Sequence, residues 1–279
     1  GGMMRFVKPI VIVVFLIGTT LFVLKWWSFK GSLDTNPPKI NIGPKMISVN
    51  VDATDRELMK SVQVTDTKDG DLTAGLVIES ISNFTDKKNH ICNITYAVED
   101  SDHNVAKATR KLKYNNYTPP KFVLRKPLQL ETGSQESLRE IIGAEDCIDG
   151  DISRKVKILS AEFSTASTGD NTVTAQVTNS RGDTVTLKAH VIIKNINTKA
   201  PIINLKKNLV YTKKNSSFNE RKYIDSVESS TGKKISKSRV KIMNSTVNTK
   251  KKGCYYVEYV INEEEANESL ANLTVIVED

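Results

Sequence analysis

The chain has few cysteines, and their positions do not suggest a disulfide framework. There are three in 279 residues, an odd number. Cys92 and Cys254 occupy equivalent positions in predicted strands and Cys147 lies in a predicted loop, so we expect no pair to reach the Cα separation of about 4.4–6.8 Å that a disulfide needs. No Cys-x-x-Cys pair occurs, which argues against a zinc site of the usual spacing. The sequence predicts a fold that does not depend on disulfides.

Recognisable catalytic motifs are also missing. The sequence contains no Gly-x-Ser-x-Gly, no His-Glu-x-x-His and no phosphate-cradling glycine loop. The three histidines, His90, His103 and His190, show no spacing that groups them. The carboxylate pairs recur as solvated turns, whereas a glycosidase needs two differently tuned carboxyl groups in one cleft. The sequence therefore predicts a chain that is not an enzyme and that has no cofactor, apart from the calcium considered below.

Aromatic residues are scarce, at 6%, although the net charge is +8. The positive excess lies at the two ends, in residues 1–34 and 198–279. A nucleic-acid surface would spread further and interleave aromatic residues, so we expect no nucleic-acid partner. The basic loops of the last segment have two interpretations: a solvated surface, or contact with an anionic partner. The candidate residues for that contact are Lys233, Lys234, Lys250, Lys251 and Lys252.

The sequence does contain a repeat of about eighty residues. Its clearest copies, eighty residues apart, are Asp66-Thr-Lys-Asp-Gly-Asp-Leu-Thr and Asp146-Cys-Ile-Asp-Gly-Asp-Ile-Ser. Apolar strands open after Pro38, Pro120 and Pro201, at spacings of 82 and 81 residues. A fixed long period indicates one structural unit copied along the chain, so we expect three copies, the last of them degenerate.

Within each copy, apolar and polar residues alternate over short segments, as in 92–98, 171–177 and 254–260. This alternation is typical of half-buried antiparallel strands, and about seven short strands in eighty residues are typical of a β-sandwich. The predicted fold class is all-β, with three tandem Ig-like β-sandwiches after one N-terminal transmembrane helix. The predicted domains are a tail and anchor at 1–30, sandwiches at 31–116 and 117–197, and a divergent basic sandwich at 198–279.

These features together resemble bacterial Ig-like domains. The shared pattern is an opening Pro and apolar strand, the motif Asp-x-x-Asp-Gly-Asp-[Leu/Ile]-[Thr/Ser], and a strand pair around the turns at 99–104 and 178–183. The resemblance covers residues 38–195. The third copy has lost all three aspartates in 229–236, so for that copy only the fold is implied. Domains of this type occur in tandem on bacterial surface proteins and pesticidal crystal proteins, and the resemblance implies adhesion, spacing or display.

The acidic loops have two interpretations. Three carboxylates within six residues, with a glycine beside the last, could supply oxygen ligands to Ca²⁺. In an Ig-like topology, the late turn of each copy (99–104 or 178–183) lies at the same end of the sandwich as the acidic loop. Alternatively, Asp and Gly occupy these loops because they favour turns and cap their own backbone. The candidate calcium ligands are Asp66, Asp69, Asp71, Asp100 and Asp102 in the first copy, and Asp146, Asp149 and Asp151 in the second.

The N-terminal segment has the composition of a membrane anchor. Residues 9–24 carry no charge, Trp26 and Trp27 follow them, and no small-residue cleavage site is present. We therefore expect a single-pass protein of the cell membrane, with its N-terminus in the cytoplasm and the bulk of the chain outside.

These expectations combine into a membrane-anchored extracellular repeat protein that acts as a non-catalytic adhesion, scaffold or spacer module. The proline-containing linkers favour a semi-rigid rod. The expected partners are the membrane, through the N-terminal helix, and a protein or an anionic cell-wall glycan. Two alternatives stay open: a structural subunit of a larger cell-envelope complex, and a carbohydrate-binding accessory of a surface enzyme. Hints of an aromatic platform for the latter come from Tyr223, Tyr255, Tyr256 and Tyr259.

Overall fold

The computed structural model describes residues 3–32, 34–160, 164–195, 197–262 and 268–279. Strands dominate after the N-terminal segment, which confirms the all-β class. The α-helices are α1 (Met3–Ser32), α2 (Asp55–Leu58) and α3 (Leu138–Ile141). Single 3₁₀ turns lie at Thr73–Gly75, Ser153–Lys155, Glu220–Tyr223 and Lys237–Arg239.

The strands fall into three successive sets, which we call the first, second and third sandwich. The first comprises β1 (Lys39–Asn41), β2 (Met46–Val49), β3 (Gln63–Asp66), β4 (Gly70–Asp71), β5 (Val77–Ile81), β6 (Ile91–Glu99) and β7 (Val105–Tyr114). The second comprises β8 (Lys121–Leu124), β9 (Gln129–Glu131), β10 (Ile142–Asp146), β11 (Gly150–Asp151), β12 (Lys157–Ser160), β13 (Gly169–Thr178) and β14 (Thr184–Lys194). The third comprises β15 (Ile202–Leu205), β16 (Leu209–Lys213), β17 (Ile224–Glu228), β18 (Lys241–Ser245), β19 (Gly253–Asn262) and β20 (Glu268–Glu278).

Each set forms two sheets, and the strand order repeats from one set to the next. The smaller sheets are β1-β3-β4, β8-β10-β11 and β15-β17. The four-stranded sheets are β2-β7-β6-β5, β9-β14-β13-β12 and β16-β20-β19-β18. The third set keeps the order of the four-stranded sheet, but among the described residues its smaller sheet lacks a counterpart of β4 and β11, because these two strands lie in the acidic motif that the third copy has lost.

In the second and third sandwiches, the opening segment of the chain contributes a strand to both sheets. Strand β8 pairs antiparallel with β10, and β9 then pairs parallel with β14. Strand β15 pairs antiparallel with β17, and β16 pairs parallel with β20. The second and the last strand of each of these sandwiches are therefore hydrogen-bonded neighbours.

The chain divides into two compact units. Unit one consists of Gly1–Val49, Ala53–Ser82 and Ile91–Lys113, and unit two of Asn50–Asp52, Asn83–His90 and Tyr114–Asp279. Unit two thus contains both the second and the third sandwich.

The core of unit one follows the period of two expected of a half-buried strand. Along β6, Cys92, Ile94, Tyr96 and Val98 are all buried, whereas the intervening residues are at least partly accessible. The hydroxyl of Tyr96 donates a hydrogen bond of 2.6 Å to the carbonyl oxygen of Leu58, so the polar end of this buried ring is satisfied.

A buried arginine joins several segments of unit one. Arg110 on β7 is only 3% exposed. Its Nε donates to the hydroxyl of Tyr96 at 2.9 Å, and its Nη1 donates to the carbonyl oxygen of Ile42 at 2.7 Å. Its Nη2 donates to the carbonyl oxygens of Leu58 and Lys60, both at 3.0 Å. Because the guanidinium group carries five donors in a fixed plane, one side chain can hold three loop carbonyl groups and a hydroxyl at once.

In unit two, the strands β19 and β20 are packed on both faces. Val257, Tyr259 and Ile261 belong to the core of the third sandwich. The alternate residues of β19 point the other way, and one of them, Cys254, packs against the core of the second sandwich. A strand that packs on both faces lies between two layers of the protein and does not have one face exposed to solvent.

The second and third sandwiches accordingly share a buried interface. The side-chain Nδ2 of Asn272, which is fully buried, donates to the carbonyl oxygen of Leu128 at 3.0 Å. The hydroxyl of Tyr211 donates to the carbonyl oxygen of Phe122 at 3.2 Å. The semi-rigid rod predicted from the proline-containing linkers therefore does not hold for these two sandwiches, which pack side by side.

The N-terminal residues form α1, but the membrane prediction is wrong. No helix in the described part of the chain is both long enough and apolar enough to cross a bilayer. This finding overturns the predicted transmembrane helix and the predicted single-pass location, with a cytoplasmic N-terminus and the bulk outside.

Candidate functional site

The acidic loop of the first sandwich closes on itself through its first aspartate. Asp66 ends β3, and its Oδ1 accepts hydrogen bonds from the amide groups of Lys68 at 2.8 Å and Asp69 at 2.9 Å. Gly70 then adopts a φ of 75°, in the left-handed region that side chains other than glycine rarely enter. The motif Asp-x-x-Asp-Gly thus builds a tight turn in which the first carboxylate replaces a backbone acceptor.

The second aspartate of this loop reaches the late turn between β6 and β7. Asp69 accepts hydrogen bonds from the amide group of Ser101 at 2.9 Å and from its hydroxyl at 2.8 Å. The prediction that these two loops lie at the same pole is therefore confirmed for the first sandwich. The third aspartate, Asp71, accepts from the amide group of Thr73, the first residue of the 3₁₀ turn, at 2.9 Å. Hydrogen bonds from the Thr73 hydroxyl and amide lower the pKa of Asp71.

The late turn of the first sandwich is organised by two further aspartates. Asp100 is 6% exposed, and its carboxylate accepts from the amide groups of Asp102 and Asn104 and from the Asn104 side chain. Asp102 accepts from the ammonium group of Lys68 and from the amide group of Asp34. The hydrogen bond from Lys68, followed by that from Asp34, lowers the pKa of Asp102.

The second sandwich repeats this arrangement with a more buried first aspartate. Asp146 is 7% exposed; its Oδ1 accepts from the amide groups of Ile148 and Asp149, both at 2.9 Å. Its Oδ2 accepts from the Nδ2 of Asn179 at 2.9 Å, and Asn179 is itself buried. Asp151 accepts from the amide group of Ser153 at 2.9 Å, as Asp71 does from Thr73.

Asp149 joins the acidic loop of the second sandwich to the late turn between β13 and β14. It accepts from the amide group of Ser180 at 2.7 Å, from the Ser180 hydroxyl, and from the ammonium group of Lys155 at 3.0 Å. Burial on its own would raise the pKa of Asp149, but these hydrogen bonds outweigh it and lower the pKa.

The eight predicted calcium ligands therefore already have partners within the protein. Each carboxylate accepts at least one hydrogen bond from an amide, hydroxyl or ammonium group. A calcium ion would have to compete with these donors for the same oxygen atoms. Calcium binding at these loops stays a prediction, while the hydrogen bonds give the loops a structural role that needs no ion.

The five candidate lysines lie in two separate turns. Lys233 and Lys234 lie in the turn after β17, whereas residues 250–252 lie in the turn before β19, where Lys252 pairs with Asp279. Strand β17 ends beside the start of β15, and β19 begins beside the end of β20. Because β16 continues from β15 and runs parallel to β20, these two turns lie at opposite ends of the third sandwich. The predicted anionic-partner residues are not brought together on one surface.

Sequence reasoning missed a third cluster, in unit two, formed by Asp170 and His190 of the second sandwich and Glu258 of the third. The Nε2 of His190 lies 3.5 Å from the Oε1 of Glu258 and 3.6 Å from the Oδ1 of Asp170. The imidazole stacks on the ring of Tyr256, with centroids 3.8 Å apart and an angle of 12°. Strand alternation places Asp170 and His190 on one face of neighbouring strands, but nothing local to the sequence predicts that Glu258 joins them.

No family model matches the chain, and no curated protein matches it. Solved structures do. One contains the M60 catalytic domain with the CBM51-1 and CBM51-2 domains of ZmpB from Clostridium perfringens: the identity is 14%, the match covers 88% of this chain and 31% of that one, and the TM-score is 0.25. Another contains CBM51-2 in complex with GlcNAc and INT domains from the same protein, at 18% identity, with 54% of this chain and 26% of that one covered and a TM-score of 0.23.

A third similar structure is mouse cadherin-23 EC22-24, at 13% identity, with 88% of this chain and 99% of that one covered and a TM-score of 0.20. The chain spans less than a third of the length of the two Clostridium perfringens structures. At TM-scores of 0.25 and below, none of these likenesses carries an argument about what this chain binds.

Proposed function

We propose that the chain is a non-catalytic scaffold and adhesion module, in which the second and third sandwiches form one fixed frame. The observation that carries the proposal is the buried interface between these sandwiches. Asn272 is fully buried there, and its Nδ2 donates to the carbonyl oxygens of Leu128 and His190. A buried polar side chain that bonds two backbone groups of a neighbouring sheet fixes one register, because any other leaves buried groups unpaired.

The acidic loops support the same proposal. The carboxylates of these loops are held within the sandwich ends: Asp69 accepts from Ser101 and Asp149 accepts from Ser180. These hydrogen bonds tie each acidic loop to the late turn of the same sandwich. Such aspartates stabilise the end of a sandwich, which is what a module that displays its loops requires.

The experiment is a measurement of ¹⁵N relaxation on the full chain. If the frame is fixed, the amides of β8–β14 and of β15–β20 share a single rotational correlation time. Asn272→Ala removes the two hydrogen bonds that this side chain donates across the interface, and the correlation times of the two sets should then differ. Ser180→Ala, which alters a loop of the second sandwich instead, is the control and should leave the common value unchanged. Two different correlation times in the wild-type chain would contradict the proposal.

A second candidate function is the binding of an anionic polymer, and a groove in the third sandwich favours it. The groove has a volume of about 450 Å³. Residues that line it include the ring-bearing Tyr211 and Tyr223 and the cations Lys206, Lys207 and Lys222. Three ammonium groups around two aromatic rings provide charge for an anionic chain and apolar surface for a sugar ring.

This candidate predicts binding that depends on both salt and site. The full chain, immobilised on beads, is exposed to an anionic and a neutral polysaccharide of equal length. The anionic polymer should bind at low salt and be released as the ionic strength rises to physiological values. Replacing Lys206, Lys207 and Lys222 by Glu should abolish binding, whereas the same replacements at the exposed Lys233, Lys250 and Lys251 change the net charge equally and should have a smaller effect. Equal effects of the two sets would refute a specific groove.

A further inference from the structure

The cluster of Asp170, His190 and Glu258 lies where the second and third sandwiches meet. Asp170 is on β13 and His190 on β14, and both strands belong to the second sandwich. The register pairs Thr172 with His190 and Asp170 with Ile192, so that Asp170 and His190 are diagonal neighbours on the face of the sheet that points towards the third sandwich. Glu258 approaches them from β19.

The distances within this cluster are too long for hydrogen bonds. The Nε2 of His190 is buried and has no hydrogen-bond partner among the described residues. Its separations from the Oε1 of Glu258 and the Oδ1 of Asp170, 3.5 and 3.6 Å, exceed the usual range for a nitrogen donor and an oxygen acceptor. All three ligand atoms lie within 4.8 Å of one another. A buried ring nitrogen beside two carboxylates is costly unless something satisfies it.

A tetrahedral metal ion fits these separations. Zn²⁺ binds imidazole nitrogen and carboxylate oxygen at about 2.0–2.2 Å, so two ligand atoms on one tetrahedron are about 3.3–3.6 Å apart. The two measured separations are within a few tenths of an ångström of this value. Three protein ligands leave the fourth position to a water molecule.

The surroundings of the cluster support a ligand at this place. The stacked ring of Tyr256 holds the His190 imidazole in a fixed plane. Asn272, directly opposite Glu258 in the register of β19 and β20, is fully buried and its Oδ1 has no hydrogen-bond partner in the described part of the chain. Because Asn272 lies beside Glu258 on the same face, this oxygen could accept a hydrogen bond from a metal-bound water molecule. The side chain of Asp170 is 69% exposed, which gives an ion access from solvent.

We propose that Asp170, His190 and Glu258 form a binding site for a divalent transition-metal ion, with Zn²⁺ as the probe. Imidazole with carboxylate ligands suits Zn²⁺ better than it suits Ca²⁺, which prefers six to eight oxygen atoms. Because two ligands come from the second sandwich and one from the third, the ion joins the two sandwiches directly. The site is separate from the acidic loops and from the groove lined by Lys206, Lys207 and Lys222, and it does not depend on either proposed function.

The experiment measures zinc binding to the untagged full chain after treatment with a chelator. All proteins carry Cys147→Ser, because this exposed thiol would otherwise offer a ligand of its own. Equilibrium dialysis with elemental analysis should find one zinc ion per chain. With zinc at about a hundred times its dissociation constant, the melting temperature should rise by roughly 5–10 °C, because the ion binds only the folded chain.

The variants Asp170→Asn and Glu258→Gln test the ligands one at a time. Each preserves the size of its side chain, and we expect each to weaken zinc binding at least about tenfold. The matched control is Asp225→Asn, an exposed aspartate on β17 of the same unit, which should bind zinc as the parent does. Asp170 is mostly exposed, so its replacement leaves folding intact and keeps the test decisive. Failure of the parent chain to retain zinc at micromolar concentration, or equal binding by Asp170→Asn, would overturn the proposal.

Discussion

Replacing Arg110 by methionine should destabilise unit one severely, and the structure gives the reason. The guanidinium group is buried and donates four hydrogen bonds, to the hydroxyl of Tyr96 and to the carbonyl oxygens of Ile42, Leu58 and Lys60. Methionine fills much of the same volume but donates no hydrogen bond. The variant therefore removes the bonds and leaves little cavity.

The magnitude follows from the groups that lose their donor. The carbonyl oxygen of Leu58 still accepts from Tyr96, so the main losses are at the carbonyl oxygens of Ile42 and Lys60. Both acceptors are partly buried, and each of them costs about 1–3 kcal/mol when it loses its partner. Removing a buried charge recovers part of this cost. We expect a net loss of about 3 kcal/mol in the free energy of unfolding of unit one.

Hydrogen exchange measured by mass spectrometry is the appropriate assay, because it follows each unit separately in the full chain. A loss of about 3 kcal/mol corresponds to roughly a hundredfold faster exchange of the most protected amides in β6 and β7. Amides of unit two should keep their wild-type rates. The control is Lys111→Met on the same strand, where the side chain is exposed.

The reasoning would be refuted by Arg110→Met exchange rates within about fivefold of wild type, which corresponds to about 1 kcal/mol. That result would mean that water, rather than the arginine, satisfies the loop carbonyl groups. Equal acceleration by the Lys111→Met control would likewise remove the argument, because the effect would then not depend on the buried hydrogen bonds.

Three further predictions concern the loops and the interface. Asp146→Ala should lower the free energy of unfolding, measured with denaturant, by about 2 kcal/mol, and Asp66→Ala by about 1 kcal/mol. The difference is expected because only Asp146 is buried and accepts a hydrogen bond from a buried asparagine, Asn179. Iodoacetamide should label the exposed Cys147 and spare Cys254 in the native chain, since burial raises the pKa of the Cys254 thiol to about 12. Because the pKa of Asp149 is lowered in the folded chain, this carboxylate stabilises the fold above its unfolded pKa of about 3.9. The stabilisation is lost as the pH falls through the folded pKa. In Asp149→Asn, the free energy of unfolding should therefore fall less steeply with decreasing pH below about pH 4.

Each of these predictions has a contrary outcome. Equal losses for the two aspartate variants would mean that burial of Asp146 adds nothing. Labelling of Cys254 at the rate of Cys147, read from tryptic peptides, would mean that the interface opens readily. An unchanged acid limb in Asp149→Asn would place the pH dependence on other carboxylates.

The sequence predicts the repeated fold because the signals for it are local. Alternation sets which face of a strand is buried, and Asp-x-x-Asp-Gly encodes a turn through hydrogen bonds that span three residues, as Asp66 and Asp146 show. The third sandwich could be predicted without the acidic motif, because the alternation of Tyr255 to Val260 remains.

The packing of the second sandwich on the third could not be predicted in this way. The face of β19 and β20 that meets the second sandwich carries Tyr256, Glu258, Asn272 and Thr274, which are residues typical of a solvated surface. Their burial is decided by a partner far away in the sequence. For the same reason the cluster at His190 escaped prediction, since its three residues become neighbours only when two sheets meet.

The parallel pairing of β16 with β20 has a mechanical consequence. Five residue pairs join these strands, from Leu209 with Thr274 to Lys213 with Glu278. A force that pulls the start of β16 away from the end of β20 acts along the strands, so it loads all their hydrogen bonds in shear at once instead of peeling them apart in sequence. A sandwich joined in this manner resists extension along β16 and β20.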